Sequence, residues 1–412
     1  MLGTSLDVAL PQPSSAVDRC RAAPYPSKAE AVRASVGDNA RVRDVGLTPE
    51  LSVELITGSQ AESGAYPASP VHDVYRYGWL RDGSWCAHAM DRVDRHASAA
   101  AWHRWVADVM LGHEHRLARA LEAVRDGAVD DQVMPPARFT LDGEEEPVTE
   151  KQWPNFQLDC YGFWLWSLAD HVSRSGEMEP RLESAARLVV RYLVAAAEVP
   201  CYDCWEEHPG HRHTSTLASV AAGLRDAGAL LDDAEARERA ESLRRLILGP
   251  EHTLASSLIR FPGDTRVDAS LLWTFVPYAL LPGNSEIAVT TIRRIRDELH
   301  VPAGGVRRYQ GDTFYGGAEW ILLAASLGSV AIAQGDTDLA LLMRAWIEAS
   351  ANAAGHLPEQ IADRPQSPHM LAYWQKRWGQ TATPLLWSHA MYLILVEDLS
   401  DAARDEHPAR PN

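Results

Sequence analysis

The chain is 412 residues long, 46% hydrophobic and 23% charged, the balance of an ordinary soluble globular protein with enough length to bury a large core. Its formal charge of -17, with no basic stripe to offset it, excludes nucleic acid as the expected partner and points to neutral or small ligands. No apolar run is long enough to span a bilayer, so no membrane role is expected.

In chain order, residues 1–45 read as a loosely ordered N-terminal extension and 46–412 as a single domain, since closed barrels often use a chain of this length as one unit. The opening "MLGTSLDVALPQPSSAVDRC" has neither the basic start nor the continuous apolar core of a signal peptide, which predicts a cytoplasmic protein. Cys20, Cys86, Cys160, Cys201 and Cys204 are scattered and odd in number, and read as reduced thiols.

A first helix is predicted near "LTPELSVELI". From about residue 84 onward, apolar residues recur at i, i+3 and i+4 through "SWCAHAMDRVDRHASAAAWHRWVADVM", "HEHRLARALEAV", "QLDCYGFWLWSLADHV" and "PRLESAARLVVRYLVAAAEV". The same period continues through "STLASVAAGLRDAGALL", "AEARERAESLRRLIL", "DASLLWTFVPYALL", "EIAVTTIRRIRDEL", "AEWILLAASLGSVAIAQ", "DLALLMRAWIEASANAA" and "ATPLLWSHAMYLILVEDL". These make roughly twelve helices, parted by Gly, Pro or Asp, with no alternating strand series. The tail "DEHPARPN" reads as frayed.

Some of these helices are apolar nearly all round, such as "EWILLAASLGSVAIA", while others carry one apolar stripe, such as "TTIRRIRDEL". The first kind must be buried and the second must face water, which predicts an all-α barrel with an inner and an outer ring. The polar stretches "YRYGWLRDG", "WPNFQLD", "CYDCWEEHPGHRH", "RRYQGDTFYGG" and "HLPEQ" each precede an inner-type helix. They should therefore meet at one mouth of the barrel and form a pocket.

Fourteen tryptophans support a carbohydrate ligand, because several keep polar company: Trp79 beside Arg81, Trp153 beside Asn155, Trp205 beside Glu206. Flat apolar faces stack on sugar C–H faces while neighbouring polar groups take the hydroxyls; core filling is the plainer use of any single one. The stretch "CYDCWEEHPGHRH" could be a metal knot, a redox site or an acid catalyst. No second C-x-x-C or H-x-x-x-H exists to complete a structural zinc site, and the helical pattern lacks the strand-to-helix setting of a redox motif. His208, His211 and His213 are expected to line or brace that loop, with His213 the nearest to a ligand. No metal or other cofactor is expected.

As a set, these motifs resemble glycoside hydrolase family 15, the glucoamylase-like exo-α-glucosidases, whose fold is an (α/α)6 barrel. The resemblance runs in order through "ITGSQAESGAYPASP", "YRYGWLRDG" (75–83), "WPNFQLDCYG" (153–162), "YDCWEE" (202–207), "DASLLW" (268–273), "RRYQGDTFYGGAEW" (307–320), "LPEQ" (357–360) and "PLLWSHA" (384–390). It implies that Arg81 and Asp82 grip the terminal glucose, with Tyr75 and Trp79 shaping that subsite and Trp153 as a platform. It further implies Glu206 as general acid, Glu207 as a contact to the leaving sugar, Arg308 and Asp312 as subsite residues, and Glu359 as general base.

Inverting hydrolysis needs an acid to protonate the leaving oxygen and a carboxylate to deprotonate a water, roughly 6.5 to 9.5 Å apart. Glu206 and Glu359, on separate loops, suit that demand, and Glu207 and Trp205 are placed in sequence to raise the pKa of Glu206. Two departures bear on substrate: the 45 or so leading residues are too few for the N-terminal β-sandwich of bacterial members, and Glu319 stands where fungal glucoamylases have proline. An added carboxylate near the mouth disfavours starch-like chains. A short oligosaccharide is expected, isomaltose type before maltose type, with α,α-trehalase, a catalytically silent sugar binder and an (α/α)6 epimerase or isomerase as rivals.

Overall fold

The computed structural model describes residues 46–146, 153 and 155–406; the predicted extension and most of the predicted frayed tail lie outside them. Among the described residues thirteen α-helices account for most of the secondary structure. They are α1 (Pro49–Ser59), α2 (Leu80–Arg92), α3 (His96–Gly112), α4 (Glu114–Asp126), α5 (Asp159–Ser175), α6 (Pro180–Ala196) and α7 (Thr214–Leu230). After them come α8 (Ala234–Ile247), α9 (Glu286–Leu299), α10 (Ile321–Ala333), α11 (Thr337–Ala349), α12 (Pro368–Trp378) and α13 (Leu386–Glu406).

The ends are set by local chemistry. Thr48, Asp233, Ser285 and Asp336 each accept a backbone N–H of the first turn of α1, α8, α9 and α11. Pro49, Pro180 and Pro368 open helices where a missing N–H costs nothing. Gly127 and Gly176 close α4 and α5 in the left-handed conformation.

Contacts close an inner ring in the order α2, α5, α7, the 3-10 segment Ala269–Thr274, α10, α13 and back to α2. The outer staves α1, α3, α6, α8, α9 and α11 lie against it. Burial follows the predicted division: every residue of α10 from Ile321 to Ala331 is buried, whereas α9 buries only Ala288, Thr291, Ile292, Ile295 and Leu299. The architecture is an (α/α)6 barrel.

The lumen is filled. Trp85 on α2 meets Trp273, from the stave across the ring, at 5.9 Å between centroids, and both meet Phe163 on α5 at 5.6 Å. Staves α5 and α7 approach backbone to backbone at Gly162 and Gly223; a Cβ on Gly223 would lie 2.4 Å from the Gly162 carbonyl oxygen. The small residues are therefore a packing requirement.

Four expectations are corrected. "SWCAHAMDRVDRHASAAAWHRWVADVM" breaks between α2 and α3, where Asp94 adopts φ +58°. "DASLLWTFVPYALL" is not an α-helix but a short 3-10 turn, because Pro277 cannot donate the N–H that would extend it. Helix α12 was not expected. Six strands of two or three residues exist in three antiparallel pairs: β1 (Tyr77–Trp79) with β2 (Arg138–Thr140), β3 (Thr253–Leu254) with β4 (Ser257–Leu258), and β5 (Glu319–Trp320) with β6 (Gln360–Ile361).

Candidate active site

The loops entering the inner staves converge, as predicted, on a pocket of about 510 Å³ counted to its open mouth. Nine of the eleven candidate residues line it: Tyr75, Trp79, Arg81, Asp82, Trp153, Trp205, Glu206, Arg308 and Glu359. Its base meets the aromatic plug, since Trp205 and Trp387 in the wall pack on Trp273 at 6.0 and 5.8 Å.

Arg81, in the first turn of α2, is 3% exposed. Its Nη1 donates to Gln157 Oε1 at 2.7 Å and to Asp159 Oδ2 at 3.1 Å, and its Nε lies 3.8 Å from Asp82. Burial raises the Asp82 carboxyl to about 7; Arg81 opposes the shift and the Glu206 charge adds to it. Arg138, the strand partner of Trp79, stacks on Trp79 and Trp153 at 4.6 Å each and fixes the two indoles.

Glu206 sits on a turn closed around Asp203. The Asp203 carboxylate accepts the Trp205 and Glu207 N–H groups at 2.9 Å each and pairs with Arg260 at 2.9 Å. Burial alone would raise the Asp203 carboxyl, but His213, Arg260 and the backbone donors hold it below its ordinary value. At the apex Glu206 has φ +68°. Its Oε1 accepts from Trp79 Nε1 at 3.0 Å and Gln157 Nε2 at 3.4 Å, with Arg81 at 3.9 Å.

Glu359 enters from the β6 side and is 7% exposed. Tyr75 donates its hydroxyl to the carboxylate at 3.2 Å. Burial pushes Glu359 up to about 8; the Tyr75 hydrogen bond pulls it down, and the Asp82 and Glu206 charges push it further up.

Two candidates stand behind the wall. Asp312 is fully buried and holds Arg308 by two bonds of 2.7 Å, which orients that guanidinium between Trp205 and Trp320. Glu207 accepts the Tyr309 hydroxyl at 2.8 Å and faces Arg308 at 3.5 Å; its burial outweighs that cation and raises it to about 7. The expected neighbours of Glu206 therefore act elsewhere. Glu207 turns away, and Trp205 donates its indole N–H to Asp268 at 3.0 Å.

Glu319 does not reach the mouth. It is 1% exposed, accepts the Gly305 N–H at 2.6 Å and pairs with Arg364 at 3.0 Å, because alternation along β5 gives the pocket to Trp320 instead. His213 does not approach the pocket either: its Nε2–H donates to the His208 carbonyl at 2.9 Å, so it braces the loop. Cys201 and Cys204 are buried free thiols.

The sequence reading missed Gln157, which links Arg81 to Glu206 and lay inside a quoted motif, and the wall supplied by α12. There Trp374 meets Tyr315 at 4.2 Å and Phe314 at 5.0 Å, while Trp378 meets Trp153 at 5.0 Å. The i, i+3, i+7 spacing of Leu371, Trp374 and Trp378 was the available signal.

A tryptophan-lined pocket at one end of an (α/α)6 barrel, with carboxylates held by indole, amide and phenol donors, is the site of an enzyme that cuts glycosidic bonds. Residues 52–397 match Glycosyl hydrolases family 15, and the chain belongs to that family. It is a glycoside hydrolase. It is 41% identical over 361 residues to an isomaltose glucohydrolase of Kribbella flavida, covering 85% of this chain and 93% of that protein. It also superposes on a glycosidase variant solved in complex with glucose, with TM-score 0.81 and 40% identity over 88% of this chain and 97% of that one. A glucoamylase from Saccharomycopsis fibuligera, 14% identical with TM-score 0.65 over 86% of this chain and 94% of that one, shares the fold.

Proposed function

We propose that the chain is an inverting exo-α-glucosidase that releases β-glucose from short α-glucosides, isomaltose and isomalto-oligosaccharides first. The observation that carries this is the pairing of Glu206 and Glu359 in one plugged pocket, each oriented by a donor of its own, Trp79 and Tyr75. Glu206 protonates the leaving oxygen and Glu359 takes a proton from the attacking water. Arg81 and Asp82 hold the terminal glucose, and the aromatic wall of Trp153, Phe314 and Trp374 receives the leaving sugar. Likeness to the Kribbella flavida enzyme supports the α-1,6 preference. Residues 46–412 act as one catalytic unit, and the chain works in the cytoplasm; among the described residues no helix is long and apolar enough to cross a membrane.

One observation favours the exchanged assignment, with Glu359 as acid and Glu206 as base: Glu359 rises to about 8, which suits a proton donor. α-Glucosyl fluoride separates the two, because fluoride leaves without a proton. Glu206→Gln should hydrolyse it while failing on isomaltose, and Glu359→Gln should fail on both. The reverse pattern exchanges the roles. The substrate is read by proton NMR with isomaltose, maltose and trehalose in competition: β-glucose ahead of mutarotation supports inversion, and preferential loss of trehalose makes the enzyme a trehalase instead.

A further inference from the structure

Ten residues beyond Arg81, roughly 15 Å along α2 and away from the pocket, lies a cluster that the hydrolytic reaction does not use. Asp91 on α2, His103 on α3 and His171 on α5 are 1%, 0% and 3% exposed, and one ligand atom from each falls within 4.8 Å of the others. His171 Nδ1 is 2.9 Å from Asp91 Oδ2, and His96 Nδ1 is 2.8 Å from Asp91 Oδ1. His103 is the anomaly: neither of its ring nitrogens has a hydrogen-bond partner. A neutral imidazole carries one N–H donor and one lone-pair acceptor. To bury both unpaired is costly, and a lone pair left this way is a ligand position.

We propose that Asp91, His103 and His171 bind a first-row divalent cation, zinc being the best match. Two imidazole nitrogens and one carboxylate oxygen form a donor set that zinc takes readily, and all three side chains sit on helices that pack on one another. The His103 and His171 rings already lie 4.9 Å apart between centroids, tilted by 34°. His96, bonded to the same carboxylate and 40% exposed on its side chain, orients Asp91 in the manner of an outer-sphere partner. Of the other nearby carboxylates, Asp170 is engaged by His88 at 2.8 Å and Arg174 at 2.9 Å, and Glu179 by Arg104, which leaves Asp91 as the anion of the site. Bound there, the ion pins the outer stave α3 to the inner staves α2 and α5. Its role is structural, and the reading of Glu206 and Glu359 does not depend on it.

The test begins with full-length protein stripped by chelator and titrated with cobalt(II). Wild type should take up one cobalt per chain with the visible absorption of a four- or five-coordinate site, which zinc then displaces, and zinc should raise Tm. His103→Phe removes both nitrogens at similar volume and should abolish the absorption and the Tm shift. Asp91→Asn keeps the shape and removes the charge, and should weaken uptake at least tenfold; it carries the test if His103→Phe does not fold. Failure of the stripped wild type to take up either metal overturns the proposal and makes the cluster a plain buried hydrogen-bonded group. Equal uptake by wild type and a folded variant overturns it as well.

Discussion

Glu206 shows how much of this site is maintained against local preference. A non-glycine residue at φ +68° stores strain on the order of 1–3 kcal/mol, and the Asp203 turn supplies the contacts that hold it there. Replacing Glu206 or Glu359 by Gln should lower kcat on isomaltose by about 10³-fold or more, with circular dichroism unchanged; a rate near that of wild type would remove either residue from its role. Glu359 also makes stability depend on pH. Its folded pKa of about 8 lies above the ordinary 4.5, so the folded state holds this proton more tightly than the unfolded chain. The stability it contributes is present in full below the ordinary value and is lost as pH rises through about 8. Glu359→Gln should therefore melt above wild type at a pH of about 9 and close to it at about 4; parallel melting curves would refute the shift. Sequence spacing identified which loops meet at the pocket, but not which way each side chain leaves its loop. Glu207 and Asp312 sit beside pocket residues in the chain and behind them in space.

At the scale of elements, the long helices were legible because each sustains one period for three turns or more. The inner and outer rings were legible from how far round the apolar residues run. What escaped detection was set by tertiary context. The strands are too short to show a period, Pro277 ends a segment that otherwise reads as a helix, and the Leu371, Trp374, Trp378 stripe of α12 is blurred by Met370, Ala372 and Tyr373, apolar residues that lie off it. The close approach of α5 and α7 was also invisible, since a glycine does not announce its neighbour. Gly223→Ala would force those staves apart and should cost about 1–3 kcal/mol in chemical denaturation; a neutral outcome would mean that the helices can separate freely. On the proposed function, the leaving sugar meets helix α12, whose Trp374 lines the pocket. Trp374→Ala should raise KM for isomalto-oligosaccharides by about tenfold, the value of one stacked ring, and should leave α-glucosyl fluoride, which has no second sugar, nearly unaffected.

For the molecule as a whole, the ring closes through α13 back onto α2, so the last of the described helices completes the wall begun by the second of them. Buried cations such as Arg81, Arg260 and Arg308 are each matched to carboxylates. The aromatic plug that fills the lumen has a kinetic consequence. Among the described residues the plug closes the lumen behind the pocket, so on the proposed function substrate and product share one doorway, and glucose has to back out before another chain end can enter. Turnover then proceeds by separate encounters, without sliding along a polymer, and each glucose still seated blocks the next arrival. Initial rates on isomaltose should fall with added glucose in a competitive pattern, and isomaltotriose should give free isomaltose before glucose dominates; sustained processive release with no isomaltose in solution would mean that the barrel has a second way out.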